Sequence, residues 1–147
     1  MLYRDISGVA FIQKESWKIL LQDRRNIQKD TVEWGMFGGG VEKWETPLMA
    51  AIREIQEELN ISLNEDDVIY VGSTKYEEVK IKQYNVSVFI TLWKEKYIET
   101  MKVLEWAGAE WFTIEEARLL NWYPIDHAHF TIIENYITAH STIPNNA

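Results

Sequence analysis

The chain has no cysteine in its 147 residues, and that absence removes several kinds of protein at once. Disulfide scaffolds, thiol nucleophiles and cysteine-ligated zinc are excluded. Basic residues are scarce: 15 lysines and arginines stand against 23 acidic residues, a net charge of −8 at pH 7. Without a basic field to displace counterions, binding to a nucleic-acid backbone is not expected. Long hydrophobic runs are missing too. The longest, Val86 to Trp93, is interrupted by Ser87 and Thr91 and is far too short to span a bilayer. The opening Met1-Leu2-Tyr3-Arg4-Asp5 does not lead into the apolar segment of a signal peptide, so a cytoplasmic location and no membrane partner are expected. Linkers, repeats and low-complexity tracts are absent as well. What is there is an ordinary globular balance, 46% hydrophobic and 26% charged. Residues 1–147 read as one domain, with 141–147 a frayed polar tail.

Ile6 to Ile12 and Trp17 to Gln22 have the apolar, β-branched character of strands, and Gln13-Lys14-Glu15-Ser16 between them suits a hairpin connection. Asp23 to Glu33 is polar and reads as a loop, after which Trp34 to Phe37 runs into Gly38-Gly39-Gly40. Thr46-Pro47 then announces a helix, a hydroxyl cap followed by proline where no N–H is needed. Leu48, Ala51, Ile52, Ile55 and Leu59 recur on one face of it, and Asn60 is a suitable stop. Val68 to Val79, Ile81 to Trp93 and Ala109 to Thr113 read as further strands. Ile114 to Leu120 and Asp126 to Thr138 read as helices, the second with Phe130, Ile133, Tyr136 and Ile137 on one side. The order β-β-β-α-β-β-β-α-α predicts an α+β domain with a helix packed on its sheet.

The first helix carries a second pattern. Glu54, Glu57 and Glu58 stand at i, i+3 and i+4 and converge on one side. At about 100° per residue their mean direction lies roughly 120° from the apolar face. No cation stands among them except Arg53, which this phase points elsewhere. Hard divalent ions, Mg²⁺ or Mn²⁺, would resolve the repulsion of three such carboxylates, and a solvated acidic face is the plain alternative. The glycines upstream favour the first reading, because a backbone without side chains lets a ligand or metal approach closely. They form neither a phosphate loop of the G-x-x-x-x-G-K-[ST] kind, since Val41-Glu42 follows Gly40, nor G-x-G-x-x-G.

Together, Gly39, Glu45, Arg53-Glu54-Ile55-Gln56-Glu57-Glu58 and Ile61 have the spacing G-x5-E-x7-R-E-U-x-E-E-x-x-U, with U aliphatic. This pattern resembles the Nudix box of the Nudix hydrolase (MutT-like) family, over residues 39–61. The resemblance extends to Ile19-Leu20-Leu21-Gln22-Asp23-Arg24, to Trp34-Gly35-Met36-Phe37-Gly38-Gly39 and to Glu110-Trp111-Phe112, nearly the whole chain. Two positions depart from the family pattern. Asn60 replaces the last glycine of the box, and Trp44 stands where the family more often has glycine. If that position needs an unusual backbone angle, tryptophan should strain it; otherwise its indole faces the substrate.

The resemblance implies the Nudix α/β/α sandwich, a mixed β-sheet between helices. It implies Glu54, Glu57 and Glu58 as ligands of Mg²⁺ or Mn²⁺, with the Gly39 carbonyl as a further oxygen, and Glu45 with Arg53 as a pair bracing the box. The reaction implied is hydrolysis of a nucleoside diphosphate linked to another group, with a glutamate accepting the proton of the attacking water. Glu105, in Leu104-Glu105-Trp106-Ala107-Gly108, is the downstream candidate for that base, ahead of Glu110. Arg24 and Arg25 are candidates to hold a phosphate, and Trp34 or Trp44 to stack on a base. Trp93 and Trp111 are expected to pack. His127 and His129, two residues apart, are expected at the surface rather than on zinc.

Subfamily marks narrow the substrate. The chain lacks the cysteine of isopentenyl diphosphate isomerase, the S-Q-P-W-P-F motif of NADH pyrophosphatases and the proline of many ADP-ribose pyrophosphatases, at whose place Lys75-Tyr76-Glu77 stands. Its charge argues against mRNA decapping. A (deoxy)nucleoside triphosphate cleaved to monophosphate and pyrophosphate is the leading expectation. Dinucleoside polyphosphates, towards which Tyr76 points, or nucleotide sugars are the alternatives. A non-catalytic Nudix domain sensing a nucleotide is the rival class, and such a domain would be expected to lose box glutamates. A homodimer is compatible with the sequence.

Overall fold

The computed structural model describes residues 2–25, 33–78, 81–102, 108–120 and 126–141. Among these residues, seven strands and three α-helices follow one another as β1 (Leu2–Ile12), β2 (Ile19–Asp23), β3 (Trp34–Gly35), β4 (Phe37–Gly40), α1 (Pro47–Leu59), β5 (Ile69–Glu78), β6 (Lys82–Leu92), β7 (Gly108–Phe112), α2 (Ile114–Arg118) and α3 (Asp126–Ser141). The sheet runs β3-β2-β1-β6-β5, with β4 pairing β1 and β7 pairing β2. Its axis is the parallel pair β1–β6, in register from Leu2↔Lys82 to Ile12↔Leu92; the other pairings are antiparallel.

From Ser7 to Ile12 β1 is buried on both faces, which is why that part of its sequence is a nearly continuous apolar run rather than an alternation. Ala10 and Ile12 join Val86, Val88, Ile90 and the α3 residues Phe130, Ile133 and Ile137 in one core. Val9 and Phe11 join Phe37, Phe89 and the α1 residues Ala51, Ile55 and Leu59 in the other. The mixed sheet between helices is the expected sandwich. Each large aliphatic side chain fully buried in it contributes about 1.5–3 kcal/mol.

Several boundaries differ from expectation for identifiable reasons. β1 begins at Leu2 rather than Ile6, because its exposed first residues are held by parallel pairing with β6 and not by a core of their own. β2 begins at Ile19 rather than Trp17, which sits at φ 58° in the hairpin and leaves the strand direction there. The single strand expected from Trp34 to Phe37 is broken at Met36 into β3, paired to β2, and β4, paired to β1. The three glycines are part of β4 and not a turn. Gly38 pairs with Gly8 at φ 134°, and a side chain on it would overlap the Ser7 carbonyl oxygen, so only glycine fits.

α1 starts and stops as its residues dictate. The Thr46 hydroxyl accepts from the Met49 N–H at 3.2 Å, and Pro47 occupies the first turn. Asn60 ends the helix in the left-handed region at φ 56°, ψ 38°, its N–H donating to the Gln56 carbonyl at 3.1 Å. Its side-chain amide donates to the Thr100 carbonyl at 2.9 Å, tying the helix end to the segment beyond β6. Asn60→Ala should therefore destabilise the fold by about 1–2 kcal/mol, the cost of a left-handed L-residue, read as a lower midpoint in urea. Asn60→Gly should recover most of that loss, since glycine accepts the backbone angle although it gives up the amide contacts.

Candidate active site

Two of the three glutamates of α1, Glu54 and Glu58, face the glycine strand, and each of the three is engaged differently. Glu58 is 2% exposed. Its carboxylate accepts the Gly38 N–H at 2.9 Å and the Gln22 side-chain amide at 3.3 Å, which straps α1 to β4 and β2. The alternative of a solvated acidic face therefore fails at Glu58, which shares the buried face with Ile55 and Leu59. Glu54 lies against Gly39, where a Cβ would come within 2.5 Å of its Oε1. Glu57 keeps about half of its side chain in water, 50%.

Arg53 does not point elsewhere, as the helical phase suggested; its long side chain turns back along the helix into the cluster. Nε donates to Glu45 Oε2 at 2.7 Å, and Nη2 to Glu45 Oε1 at 2.8 Å and to the Gly40 carbonyl at 2.9 Å. Nη1 donates to Glu54 Oε1 at 3.0 Å and Glu57 Oε1 at 3.2 Å. The Glu45 side chain is 1% exposed and also accepts the Glu42 N–H at 2.9 Å. Such a two-oxygen, charge-assisted clamp is among the stronger polar contacts a protein makes. The guanidinium holds the Glu45 carboxyl below its ordinary value, and the carboxylate, with burial opposing, raises that of Arg53.

The remaining candidates are spread over the molecule. Arg25, at the end of β2, grips Asp23 through two contacts of 3.0 and 2.7 Å and lies 4.9 Å over the Trp34 ring. The Asp23 carboxyl is lowered by that grip. Arg24 is half-buried beside it, its N–H donating to the Glu33 carbonyl at 2.8 Å. Trp34 is 5% exposed and packs edge-on against Phe112, so its ring belongs to the core. Trp44 is 70% exposed. It is not among the residues at positive φ, so the large side chain strains no backbone there. Tyr76 packs against the α3-side core beside Tyr84, on the far face of the sheet from the α1 glutamates. Trp93 and Trp111 pack against each other, centroids 5.3 Å apart.

His129 contradicts the surface expectation. It is 2% exposed, its ring laid over Gly8 where β1 has no side chain to stop it. Glu110 lies exposed in β7. Glu105 and the side chain of His127 lie outside the described residues. Sequence reasoning missed Gln22, whose signal was a polar residue in register with Leu20 on the α1 side of an otherwise buried strand.

Among the described residues, no three acidic or histidine side chains are grouped closely enough to hold a metal ion as they stand. The reason is visible: Arg53 holds Glu54 and Glu57, and Gly38 with Gln22 holds Glu58. In kind the donors fit a hard divalent ion, for they are carboxylate oxygens, those of Glu54 lying against Gly39, with no nitrogen or sulfur among them.

A family model described as the NUDIX domain matches residues 2–132. The sequence has no match among the curated proteins. Among solved structures, the fold is similar to the solution structure of the E. coli ORF135 protein, at 23% identity and a TM-score of 0.72, covering 99% of this chain and 96% of that one. It is similar to a MutT NUDIX hydrolase from Burkholderia pseudomallei, at 24% identity and 0.69 over 91% and 98% of the two chains. The E. coli dihydroneopterin triphosphate pyrophosphohydrolase shares the fold at 18% identity and 0.71, over 95% and 99%.

The brace has a pH signature. Because Glu45 is held below its ordinary value of 4.5, the clamp stabilises fully above that pH and loses its contribution as pH falls through the lowered value. Subtracting the acid unfolding curve of Glu45→Gln from that of the native chain should leave a loss confined below about pH 4.5. Coincident curves would mean the clamp contributes nothing. Arg53→Ala should lower Tm at neutral pH, since it strands an enclosed carboxylate.

Proposed function

Since this chain belongs to the NUDIX domain family and is a hydrolase acting on pyrophosphate bonds, we propose that it is a Mg²⁺- or Mn²⁺-dependent enzyme cleaving a nucleoside diphosphate linked to another group. A (deoxy)nucleoside triphosphate, split to the monophosphate and pyrophosphate, is the substrate we favour. The observation that carries this reading is the contact of Glu54 and Glu58 with Gly39 and Gly38, beside an Arg53 that ties Glu54 and Glu57 to the closed clamp on Glu45. The fold neighbour named dihydroneopterin triphosphate pyrophosphohydrolase takes a triphosphate, which supports the same class here.

Glu54, Glu57, Glu58 and the Gly39 carbonyl would hold the metal. When bound, such an ion would supply Lewis-acid polarisation of phosphorus, a more acidic water and positive charge between the acidic protein and an anionic substrate. Arg53 and Glu45 fix the loop before α1, so the glutamates stand at a set distance from the glycine backbone. Glu58 is the most constrained of the three, pinned from two strands, and Glu57 the most free to accept a new partner. Arg24 and Arg25 stand at the end of β2 to take a phosphate, Arg25 by exchanging Asp23 for it. Of the two tryptophans, exposed Trp44 is the one available to stack on a base. Tyr76, occupied against Tyr84, gives no support to a dinucleoside substrate. Glu105 is proposed as the proton acceptor from its place in the sequence before β7. The reading takes residues 1–147 as one cytoplasmic domain with a small nucleotide as its partner. No helix among the described residues is long and apolar enough to cross a membrane.

A panel of nucleoside triphosphates, nucleotide sugars and dinucleotides, scored for pyrophosphate against phosphate release, should give pyrophosphate from a triphosphate and only with Mg²⁺ or Mn²⁺ present. Turnover in excess EDTA would refute the metal assignment. Glu57→Gln should cut kcat/KM by at least about a hundredfold, the upper end of what even the partners of metal ligands cost, with little change in Tm. Glu105→Gln should lower kcat by about a hundredfold or more and Glu110→Gln far less. Near-normal kcat in Glu105→Gln would pass the base role to a box glutamate.

A further inference from the structure

The contacts of Arg53 divide its guanidinium in two. Nε and Nη2 close on Glu45 and the Gly40 carbonyl, at 2.7 to 2.9 Å, and that half completes the brace by itself. Nη1 does something the brace does not require. It donates to Glu54 Oε1 at 3.0 Å and to Glu57 Oε1 at 3.2 Å, and both oxygens belong to the proposed metal ligands. Resting on the reading of this site as a metal site, we infer that Nη1 of Arg53 is the resident counter-cation of the metal-free cluster. A divalent ion must displace it from Glu54 and Glu57 while the Glu45 half stays in place.

The physical case rests on unequal grips. Glu45 takes two parallel N–H bonds in an enclosure that leaves 1% of its side chain exposed, and a third bond comes from the Glu42 N–H. Glu54 and Glu57 each take a single, longer bond from Nη1, and their side chains are 14% and 50% exposed. Bidentate pairs hold better than single ones, and water weakens an exposed pair. An ion of charge two also outcompetes part of one delocalised charge at the same oxygens. Without Nη1, carboxylates at i and i+3 would repel each other. The side chain stays cationic throughout, because a guanidinium does not give up its proton in a protein. Metal uptake is then an exchange of cations within a loop that keeps its shape. Arg53 acts as a positioning residue with one fixed and one movable arm.

The test uses the full chain labelled with ¹⁵N, its Arg53 guanidinium signals identified by their loss in Arg53→Lys. Spectra are recorded in EDTA and then across a Mg²⁺ titration, and Mn²⁺ binding to the same chain is measured by electron paramagnetic resonance. The expected result is a saturable shift of the Nη1 signals, with the midpoint shown by the backbone amides of residues 54–58, while Nε–H stays where Glu45 holds it. If Mn²⁺ binds and Nη1 does not shift, the inference is overturned and the metal reading stands. A joint shift of Nη1 and Nε of equal size overturns the division into two arms. If neither ion binds, the metal reading falls and takes the inference with it.

Discussion

The Arg53–Glu45 clamp is the contact on which the rest of the site depends. Glu45 stands eight residues before Arg53, in the loop that leads from β4 into α1, and a fork of two parallel N–H bonds ties that loop to the helix. Nη2 extends the clamp to the Gly40 carbonyl, which fixes the end of the glycine strand against the helix. With the loop closed, the distance between the α1 carboxylates and the backbone of β4 is no longer free to vary. An acidic helix alone would leave its glutamates in water; here Arg53 ties Glu54, which lies against Gly39, to the clamp, and Glu58 is pinned to Gly38.

Glu58 works from the opposite end. It is a charged residue in the packed layer between α1 and the sheet, tolerated because a main-chain N–H and an amide N–H meet its two oxygens. The pair of restraints, Arg53 towards the helix start and Glu58 towards its end, holds the helix in register with β4 as well as in contact with it. Apolar packing by Ala51, Ile55 and Leu59 would hold the helix down but would permit small slides along its axis. Directional polar bonds do not.

Much of this was legible from residue type and spacing. Thr46-Pro47 and Asn60 mark the ends of α1 where the structure has them, and the typed positions from Gly39 to Ile61 name the participants. Elements whose placement depends on distant partners were harder to read. Nothing local distinguishes β3 from β4, because the break at Met36 exists only when β2 and β1 compete for the two ends of one segment. His129 reads as a surface residue until β1 presents Gly8 beneath it. The direction of Arg53 was misjudged because helical phase places a Cα–Cβ bond, whereas four further bonds decide where a guanidinium arrives. Gln22 carried its message in strand alternation, which is readable only after the buried face is known.

The central pairing of β1 with β6 also has a consequence in time. Two strands some eighty residues apart in the chain must meet in parallel before the sheet has an axis. Everything from β1 through α1, the whole acidic and glycine apparatus included, is synthesised while one edge of β1 still lacks its partner. Closing so long a loop makes such a pairing late and slow compared with the hairpin of β1 and β2 or the local winding of α1. A nascent or truncated chain ending before Lys82 would expose the bare edge of an apolar strand, a ready template for pairing with another copy. The kinetic weak point of the molecule is thus the interval before residues 82–92 emerge, and chaperone demand would concentrate there.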